Sequence, residues 1–388
     1  MKTAFSPLAA LPLLLLFASV SSASDRLEER LAALEERRDS GVSVGGALRY
    51  QYAWRDWVDA SDHRGGDLEF DTFILNIDGQ HDGLILSAEY RFYRSWNALK
   101  KGWVGYDFSD QTQVRLGLDQ VPFGITPFSS NSFFFSSNYY LGLEDNYKAG
   151  ISVDHRIGDW FLQGGFYKNA GFGAGGGNAS DAGRYSYDLI TSADCAVAAE
   201  EQCNEAINQL SLRLARQVAG IEFGVSAQGG ELYNQSTEEV GDFWAGAVHM
   251  NVGAGNWGGM LQATRYGYNP ENPASISTDT VQIGAYDYTE LMAARANTWL
   301  AHLSYSQDVN WGPTSNLLWY LNSNLVTDKS GDFEDTQMYI AGVAVTTGNL
   351  YTMVDIVRAQ NQPFIGGTTA SMEDDWNTRF NVNFGYYF

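Results

Sequence analysis

The sequence predicts an all-β fold: a transmembrane antiparallel β-barrel of sixteen strands, preceded by a short N-terminal coiled-coil helix. Three observations predict it. The chain of 388 residues opens with an export signal, apolar and polar residues then alternate in one segment after another, and the connections between these segments are short and long in turn. Membrane barrels become larger by adding strands, so a single barrel can account for a chain of this length.

The N-terminus has the features of a secretory signal peptide. Lys2 precedes an apolar run at Leu8–Val20, and the small residues Ser21 and Ala23 mark a cleavage site after Ala23. A membrane anchor is the weaker alternative, because the run is too short to span a bilayer. We expect residues 1–23 to be removed on export.

A short helix is predicted next, at residues 24–40. Leu27, Leu31 and Leu34 recur at spacings of four and three with charges elsewhere, which is the pattern of a coiled-coil seam. So short a helix is marginal alone in water, and the seam therefore favours a periplasmic coiled coil in an oligomer. A solvated, frayed helix is the alternative.

From residue 41 to residue 388 the hydrophobic period is two, which predicts the barrel. Alternation over about ten residues is typical of strands with lipid on one side and water on the other. The clearest segments are VSVGGALRYQYAW (42–54), LILSAEYRFY (84–93), QVRLGLD (113–119), NQLSLRLARQ (208–217) and TWLAHLSYSQ (298–307).

The alternating connections predict the strand count. Seven tight turns alternate with eight long loops, which gives sixteen strands with both barrel ends on the side of the tight turns. Thr280–Leu291 also resembles a strand, but we place it inside the sixth loop because it would make the total odd; eighteen strands would require one more. The long loops are residues 55–67, 95–100, 121–146, 169–206, 231–241, 268–296, 327–334 and 361–375.

The last segment, Trp376–Phe388, has the pattern of a closing strand. Every second residue is apolar or aromatic except Thr378, and Arg379 and three asparagines lie between them. We expect the first set to face lipid and the second to face the lumen. The terminal Phe resembles the signal by which Gram-negative outer-membrane proteins are recognised by their assembly machinery. An edge strand of a soluble sandwich is the alternative.

No pattern indicates an enzyme. Gly41–Gly45 matches Gly-x-Ser-x-Gly, but that motif needs a strand–turn–helix context, and Ser43 lies in an alternating strand. The five histidines are scattered without metal-ligand spacing. Cys195 and Cys203 favour one disulfide in an oxidising compartment. We expect no catalytic site, metal, cofactor or nucleic-acid partner.

Charge is unevenly distributed. The formal net charge is -22, and acidic residues gather in the long loops, where they would form an outer rim that keeps the surface soluble or binds cations bridging lipopolysaccharide. The lumen wall is slightly basic by strand parity, so the net charge does not predict cation selectivity. The wall residues predicted to set selectivity are Arg49, Glu89, Arg91, Arg115, Asp119, Arg213, Glu222 and Arg379.

The third long loop, Val121–Asn146, is the best candidate to fold inward and narrow the pore. It is rich in Phe and Ser and contains no Lys or Arg. Its aromatic side chains would line a constriction, where they would suit sugar rings, or pack against the wall or a neighbouring subunit. The candidate constriction residues are Phe128, Phe133, Phe134, Phe135, Tyr139, Tyr140, Glu144 and Asp145.

The chain resembles Gram-negative general porins of the phosphate-selective porin O/P type, including relatives with an N-terminal coiled coil that pass small dicarboxylates. The resemblance rests on the signal peptide, the leucine-spaced helix, QVPFGITPF (120–128) and the aromatic C-terminus. It implies a trimeric sixteen-stranded barrel with three separate pores. Phosphate-selective members carry an arginine ladder and a lysine cluster at the constriction, whereas here only wall arginines could serve an anion.

Together these features predict an outer-membrane porin of a Gram-negative bacterium that passes small hydrophilic solutes or ions through a homotrimeric channel in contact with lipid and lipopolysaccharide. A carbohydrate-selective channel with an aromatic constriction is the alternative in the same class. An outer-membrane enzyme, or a structural anchor without an open pore, is the alternative from another class.

Overall fold

The structure, a computed structural model, describes residues 41–171, 182–191 and 202–388. The predicted signal peptide (residues 1–23) and coiled-coil helix (residues 24–40) lie outside the described residues, as does Cys195. The helix, the signal peptide and the disulfide therefore stay predictions.

Sixteen antiparallel strands close into a barrel, which confirms the predicted fold and strand count. Strand β19 pairs with β1, so the two ends of the described chain meet at the closure. The elements, in chain order, are β1 (Gly41–Arg55), α1 (Asp59–Arg64), β2 (Asp67–His81), β3 (Leu84–Phe92), β4 (Asn97–Ser109), β5 (Thr112–Gln120), a 3-10 turn (Tyr139–Leu141), β6 (Tyr147–Ile157), β7 (Trp160–Ala170), β8 (Asp188–Leu189), β9 (Asn204–Val218), β10 (Ile221–Asn234), β11 (Val240–Ala254), β12 (Trp257–Asn269), β13 (Thr280–Ala285), β14 (Tyr288–Ala293), β15 (Arg295–Trp311), β16 (Thr314–Thr327), β17 (Thr336–Thr347), β18 (Leu350–Gln360) and β19 (Trp376–Tyr387).

Three of these strands lie outside the wall. Strands β13 and β14 form a hairpin within the sixth loop, and β8 of the fourth loop pairs with β13; we call these three strands the cap sheet. In the wall, β12 pairs directly with β15. The placement of Thr280–Leu291 in a loop is therefore confirmed, and the eighteen-strand alternative is wrong.

The outer face of the wall is apolar, and strand β9 shows it clearly. Leu210 and Leu212 are 62% and 61% exposed, whereas Ser211 and Arg213 between and beside them are each 1% exposed. A soluble protein does not expose such a band, because contiguous apolar surface of this extent is costly in water. The alternation requires lipid around the barrel and a polar lumen inside it. In the described part of the chain, no helix has the length and apolar character needed to cross a bilayer.

The second loop is shorter than predicted. The prediction places it at residues 95–100, but β4 begins at Asn97. The pairing of β3 with β4 shifts register so that Glu89 lies opposite Lys101 and Tyr90 opposite Leu99, which leaves Lys100 as the extra residue of a bulge. A bulge interrupts the two-residue period, so this part of β4 does not show the pattern by which the other strands are recognised.

Candidate transport path

The third loop, residues 121–146, lies inside the barrel against one side of the wall. The Arg213 Nε of β9 donates to the Gly124 carbonyl oxygen at 2.7 Å, and the Ile125 amide donates to Gln262 Oε1 of β12 at 2.9 Å. Further along the loop, the Ser137 amide donates to Asn324 Oδ1 of β16 at 3.1 Å. Because buried polar groups need partners, these bonds attach the loop to the β9–β16 side of the lumen.

Two acidic residues stabilise the loop in this position. The Glu144 carboxylate accepts the backbone amides of Ser129 at 2.9 Å and Ser136 at 3.1 Å, so it holds the loop's own turns together. Asp145 lies 3.6 Å from Lys100 Nζ and accepts a hydrogen bond from the Tyr185 hydroxyl. Neither carboxylate lines the cavities described next. Both residues hold the loop in place.

The other side of the lumen is open. An inner cavity of about 670 Å³ lies between the third loop and the wall formed by β18, β19 and β1–β4. Along β1 its lining extends from Gly46, near the tight-turn end, to Arg55 at the opposite end of the strand. At about 3.4 Å per residue this is roughly 30 Å of strand, which corresponds to about 20–25 Å of depth across the membrane because barrel strands are tilted.

A second cavity, the outer vestibule, lies at the long-loop end and has a volume of about 840 Å³. It is lined by the first, sixth and eighth loops together with the adjoining strand ends. Four residues line both cavities: Arg55, Tyr286, Phe364 and Arg379. We call the place where the two cavities meet, which these residues surround, the neck. The outer vestibule and the inner cavity therefore adjoin at the neck, on the same side of the barrel.

The inner cavity has more basic than acidic side chains. Five basic and three acidic residues line it, and several form ion pairs: Arg49 with Asp71 at 2.8 Å and Arg91 with Glu89 at 2.6 Å. Arg91 also lies over the Tyr185 ring at 4.4 Å. The pairs leave a basic excess. The charged lining residues are Arg49, Arg55, Arg91, Lys100 and Arg379 against Glu69, Asp71 and Glu89.

Four of the predicted selectivity residues lie elsewhere. Arg115 pairs with Asp119 at 3.0 Å, and Arg213 pairs with Glu222. None of these four lines either cavity, and the third loop covers Arg213 directly through the bond from Arg213 to the Gly124 carbonyl oxygen. Strand parity predicts which face of the wall a residue occupies, but not which part of the lumen a loop fills.

Two basic lining residues, Arg55 and Lys100, are missing from the predicted set. The predicted loops 55–67 and 95–100 include both residues, whereas Arg55 ends β1 and Lys100 lies in the bulge of β4. The pairing of Arg55 with Arg379 of β19 is the signal that would have found the first, but pairing is a property of the folded barrel.

The predicted aromatic residues of the third loop all line the inner cavity, and several of them are also buried. Phe134 and Tyr139 are each 2% exposed, and Phe135 stacks on Tyr139 with ring centroids 4.3 Å apart. The Tyr139 hydroxyl lies 2.8 Å from the Tyr286 hydroxyl of the cap sheet hairpin. The lining rings are Phe128, Phe133, Phe134, Phe135, Tyr139 and Tyr140.

One carboxylate of the cap sheet is buried without a partner. Glu290 lies opposite Ile283 on a face where Val281, Ile283 and Met292 are at most 1% exposed. Neither carboxylate oxygen has a hydrogen-bond partner, and burial raises the pKa of Glu290 to about 8. A neutral carboxylic acid is the form that such an apolar face favours. Among the described residues, no three His, Cys, Asp or Glu side chains are arranged to hold a metal ion.

No protein-family model matches the sequence, and no curated protein matches it. Solved structures do match. The anion-selective porin from Comamonas acidovorans is 14% identical, with a TM-score of 0.57 and coverage of 90% of this chain and 100% of that one. The outer membrane channel DcaP of Acinetobacter baumannii is 9% identical, with a TM-score of 0.56 and coverage of 90% and 97%.

A third similar structure is OmpT, an outer membrane protein of Vibrio cholerae, in its trimer form. It is 12% identical, with a TM-score of 0.52 and coverage of 90% of this chain and 99% of that one. At these identities the similarity shows the fold, which is that of outer-membrane porins. The closed barrel and its apolar outer face place the protein in the outer membrane of a Gram-negative bacterium.

Proposed function

We propose that the protein is a porin through which small hydrophilic solutes diffuse passively along the vestibule, the neck and the inner cavity. One observation carries the proposal: the third loop fills one side of the lumen and leaves a cavity on the other side that extends along most of β1. Size exclusion follows from the narrowing by the third loop, and no bond is made or broken in transport. The lining charges then sort the solutes that fit.

The channel should prefer anions weakly. Basic residues outnumber acidic residues in the inner cavity, and the neck presents Arg55 and Arg379. The ion pairs Arg49–Asp71 and Arg91–Glu89 reduce the field that a solute meets, so the preference should be modest. The neighbour from Comamonas acidovorans, described as anion-selective, has the same fold.

We further propose a homotrimer in which each barrel holds its own pore. The leucine spacing at residues 24–40 supports it, because a coiled coil this short needs chains that are already close together. The neighbour from Vibrio cholerae, which has a similar fold, is described in a trimer form, and this is in line with the proposal.

The decisive experiment is single-channel recording of the purified protein in planar bilayers with a tenfold KCl gradient. Conductance steps in multiples of three would support the trimer. A reversal potential whose sign shows chloride to be more permeant than potassium would support the anion preference. A reversal potential of the sign for potassium would refute the anion preference. Silence from folded protein would refute the open pore and favour the alternative of an enzyme or structural anchor.

A carbohydrate-selective channel is the second candidate. The observation in its favour is the aromatic lining of the inner cavity, in which Phe133 is among the less buried rings. Sugar rings stack on such faces. Sugars should then interrupt the ion current, and Phe133→Ala should abolish the interruption while the variant still conducts. Current that sugars leave unchanged would exclude this candidate.

A further inference from the structure

We propose that the neck binds aromatic monocarboxylates, with Arg55 and Arg379 on the carboxylate and with Phe364 and Tyr286 against the ring. The proposal deepens the porin function and rests on it, because the neck lies on the transport path. Four side chains that line both cavities supply two kinds of contact, two cationic and two aromatic.

Arg55 and Arg379 are paired residues of the wall, and neither has an anionic partner among the described residues. Arg55 and Arg379 are opposite each other in the β1–β19 pairing, so their side chains lie on the same face of the wall. No carboxylate of the described residues lies within ion-pair distance of either one, and Glu69, which lines the inner cavity, pairs with neither. Like charges directly opposite each other repel. An anion between them would remove that repulsion.

The guanidinium of Arg379 is fixed in position and retains one donor that is free among the described residues. It is 4% exposed, and its guanidinium lies 4.9 Å from the centroid of the Phe134 ring. Its Nη1 donates to the Phe364 carbonyl oxygen at 3.3 Å and its Nη2 donates to Asn381 Oδ1 at 3.2 Å, while its Nε has no partner. A buried charged donor without an acceptor is costly, and a bound carboxylate would supply the acceptor.

Phe364 presents an apolar ring to the water of the neck. The residue is 38% exposed and has a φ of 64°, in the left-handed region that bulky residues rarely adopt. Its ring meets the Tyr286 ring edge-to-face with centroids 5.7 Å apart. Strained backbone of this kind is concentrated at functional sites, and here it places an aromatic face beside two cations.

These contacts together select the class of ligand. A carboxylate matches the planar fork of a guanidinium, and a flat apolar ring covers exposed aromatic faces. A small inorganic anion would leave Phe364 in water, and a neutral sugar would leave both guanidinium groups unpaired. Glu373 and Asp375 line the outer vestibule and oppose a second negative charge on the ligand. A monoanion with one aromatic ring therefore fits best.

Titration calorimetry on the detergent-solubilised protein tests the proposal directly, with benzoate, acetate and benzamide as probes. Acetate has the charge without the ring, and benzamide has the ring without the charge. We expect benzoate to bind at least tenfold more tightly than either. Arg379→Gln and Arg55→Gln should each weaken benzoate binding at least tenfold, and Phe364→Ala should remove the preference of benzoate over acetate.

Arg156→Gln is the matched control. Arg156 is exposed near the C-terminal end of β6, at the tight-turn end of the barrel, and it lines neither cavity. Its benzoate affinity should equal that of the unaltered protein. Arg55→Gln keeps the test valid should Arg379→Gln not fold, since Arg55 is the terminal residue of its strand. Equal binding of benzoate and acetate, or benzoate binding that neither neck substitution changes, would overturn the proposal.

A separate conductance measurement distinguishes failure of the proposed neck site from failure of the proposed porin function. A conducting protein that does not bind benzoate would refute the neck site and leave the porin proposal standing. A silent protein that binds benzoate with the expected sensitivity to Arg55 and Phe364 would support the site and refute passive transport through it.

Discussion

Raising the pH should release the cap sheet from the third loop, and Glu290→Gln should prevent the release. Glu290 is the one acidic residue on the β13–β14 face that carries Val281, Ile283 and Met292, and these belong to the same buried apolar cluster as Leu141 and Tyr140 of the third loop. The Thr368 hydroxyl donates to the Leu291 carbonyl oxygen at 2.7 Å, so its proton is not available to a Glu290 carboxylate.

The size of the change in docking free energy follows from the pKa of Glu290, which burial raises from 4.5 to about 8. Between these values the docked cap holds a proton that the released cap gives up, so the free energy of docking falls as the pH rises. At about 1.4 kcal/mol per pH unit the total loss is about 5 kcal/mol, and it is complete above pH 8. Docking is therefore strongest below pH 4.5.

No other side chain near Glu290 should titrate in this range. The titratable groups around it are the tyrosines Tyr140, Tyr187 and Tyr288, and burial raises the pKa of each one above 10. They remain neutral between pH 4.5 and pH 8. Within the β13–β14 hairpin the pH dependence is thus assigned to Glu290, and Glu290→Gln separates it from any contribution of Asp145 in the third loop, whose pKa burial raises as well.

Hydrogen exchange of residues 280–293, corrected for the intrinsic dependence on pH, measures docking. In the unaltered protein, protection of this segment should fall between pH 5 and pH 9, while protection of the barrel strands stays constant. Glu290→Gln should show no such fall, and the exposed Glu238→Gln should behave like the unaltered protein. The same fall in Glu290→Gln as in the unaltered protein would refute the reasoning.

Three further predictions concern the lumen, the wall and the fourth loop. Arg91→Gln removes a positive charge from the inner cavity and should shift the reversal potential toward potassium, whereas Arg216→Gln should not, because Arg216 does not line it. Leu210→Arg should destabilise the barrel by about 2–4 kcal/mol in a denaturant titration, and Val218→Arg at the strand end by about 1 kcal/mol or less. Cys195→Ser should abolish a mobility difference between reducing and non-reducing gels; no difference in the unaltered protein would exclude the disulfide.

Much of the wall could be predicted because its strands are repetitive and two-sided. In β9, Leu210 and Leu212 face lipid while Ser211 and Arg213 face inward, and no distant contact is needed to predict this. The same local pattern predicts the closing strand, and the alternation of short and long connections predicts sixteen strands. Thr280–Leu291 shows the limit of that pattern: its alternation resembles a single strand and only the count places it in a loop, whereas the structure forms the hairpin of β13 and β14 there.

The transport path depended on tertiary structure. The third loop could be recognised as the constriction candidate, but the side to which it attaches is decided by partners far away in sequence, such as Gln262 and Asn324. That choice covers Arg213 and leaves Arg49 and Arg91 open to the cavity. The bulge at Lys100 and the pairing of Arg55 with Arg379 arise only when strands meet in register.

The sequence by itself thus determined the barrel and its two faces, because a two-residue period is local. Only the tertiary structure decided which charges a solute meets, because that depends on contacts between segments distant in the chain.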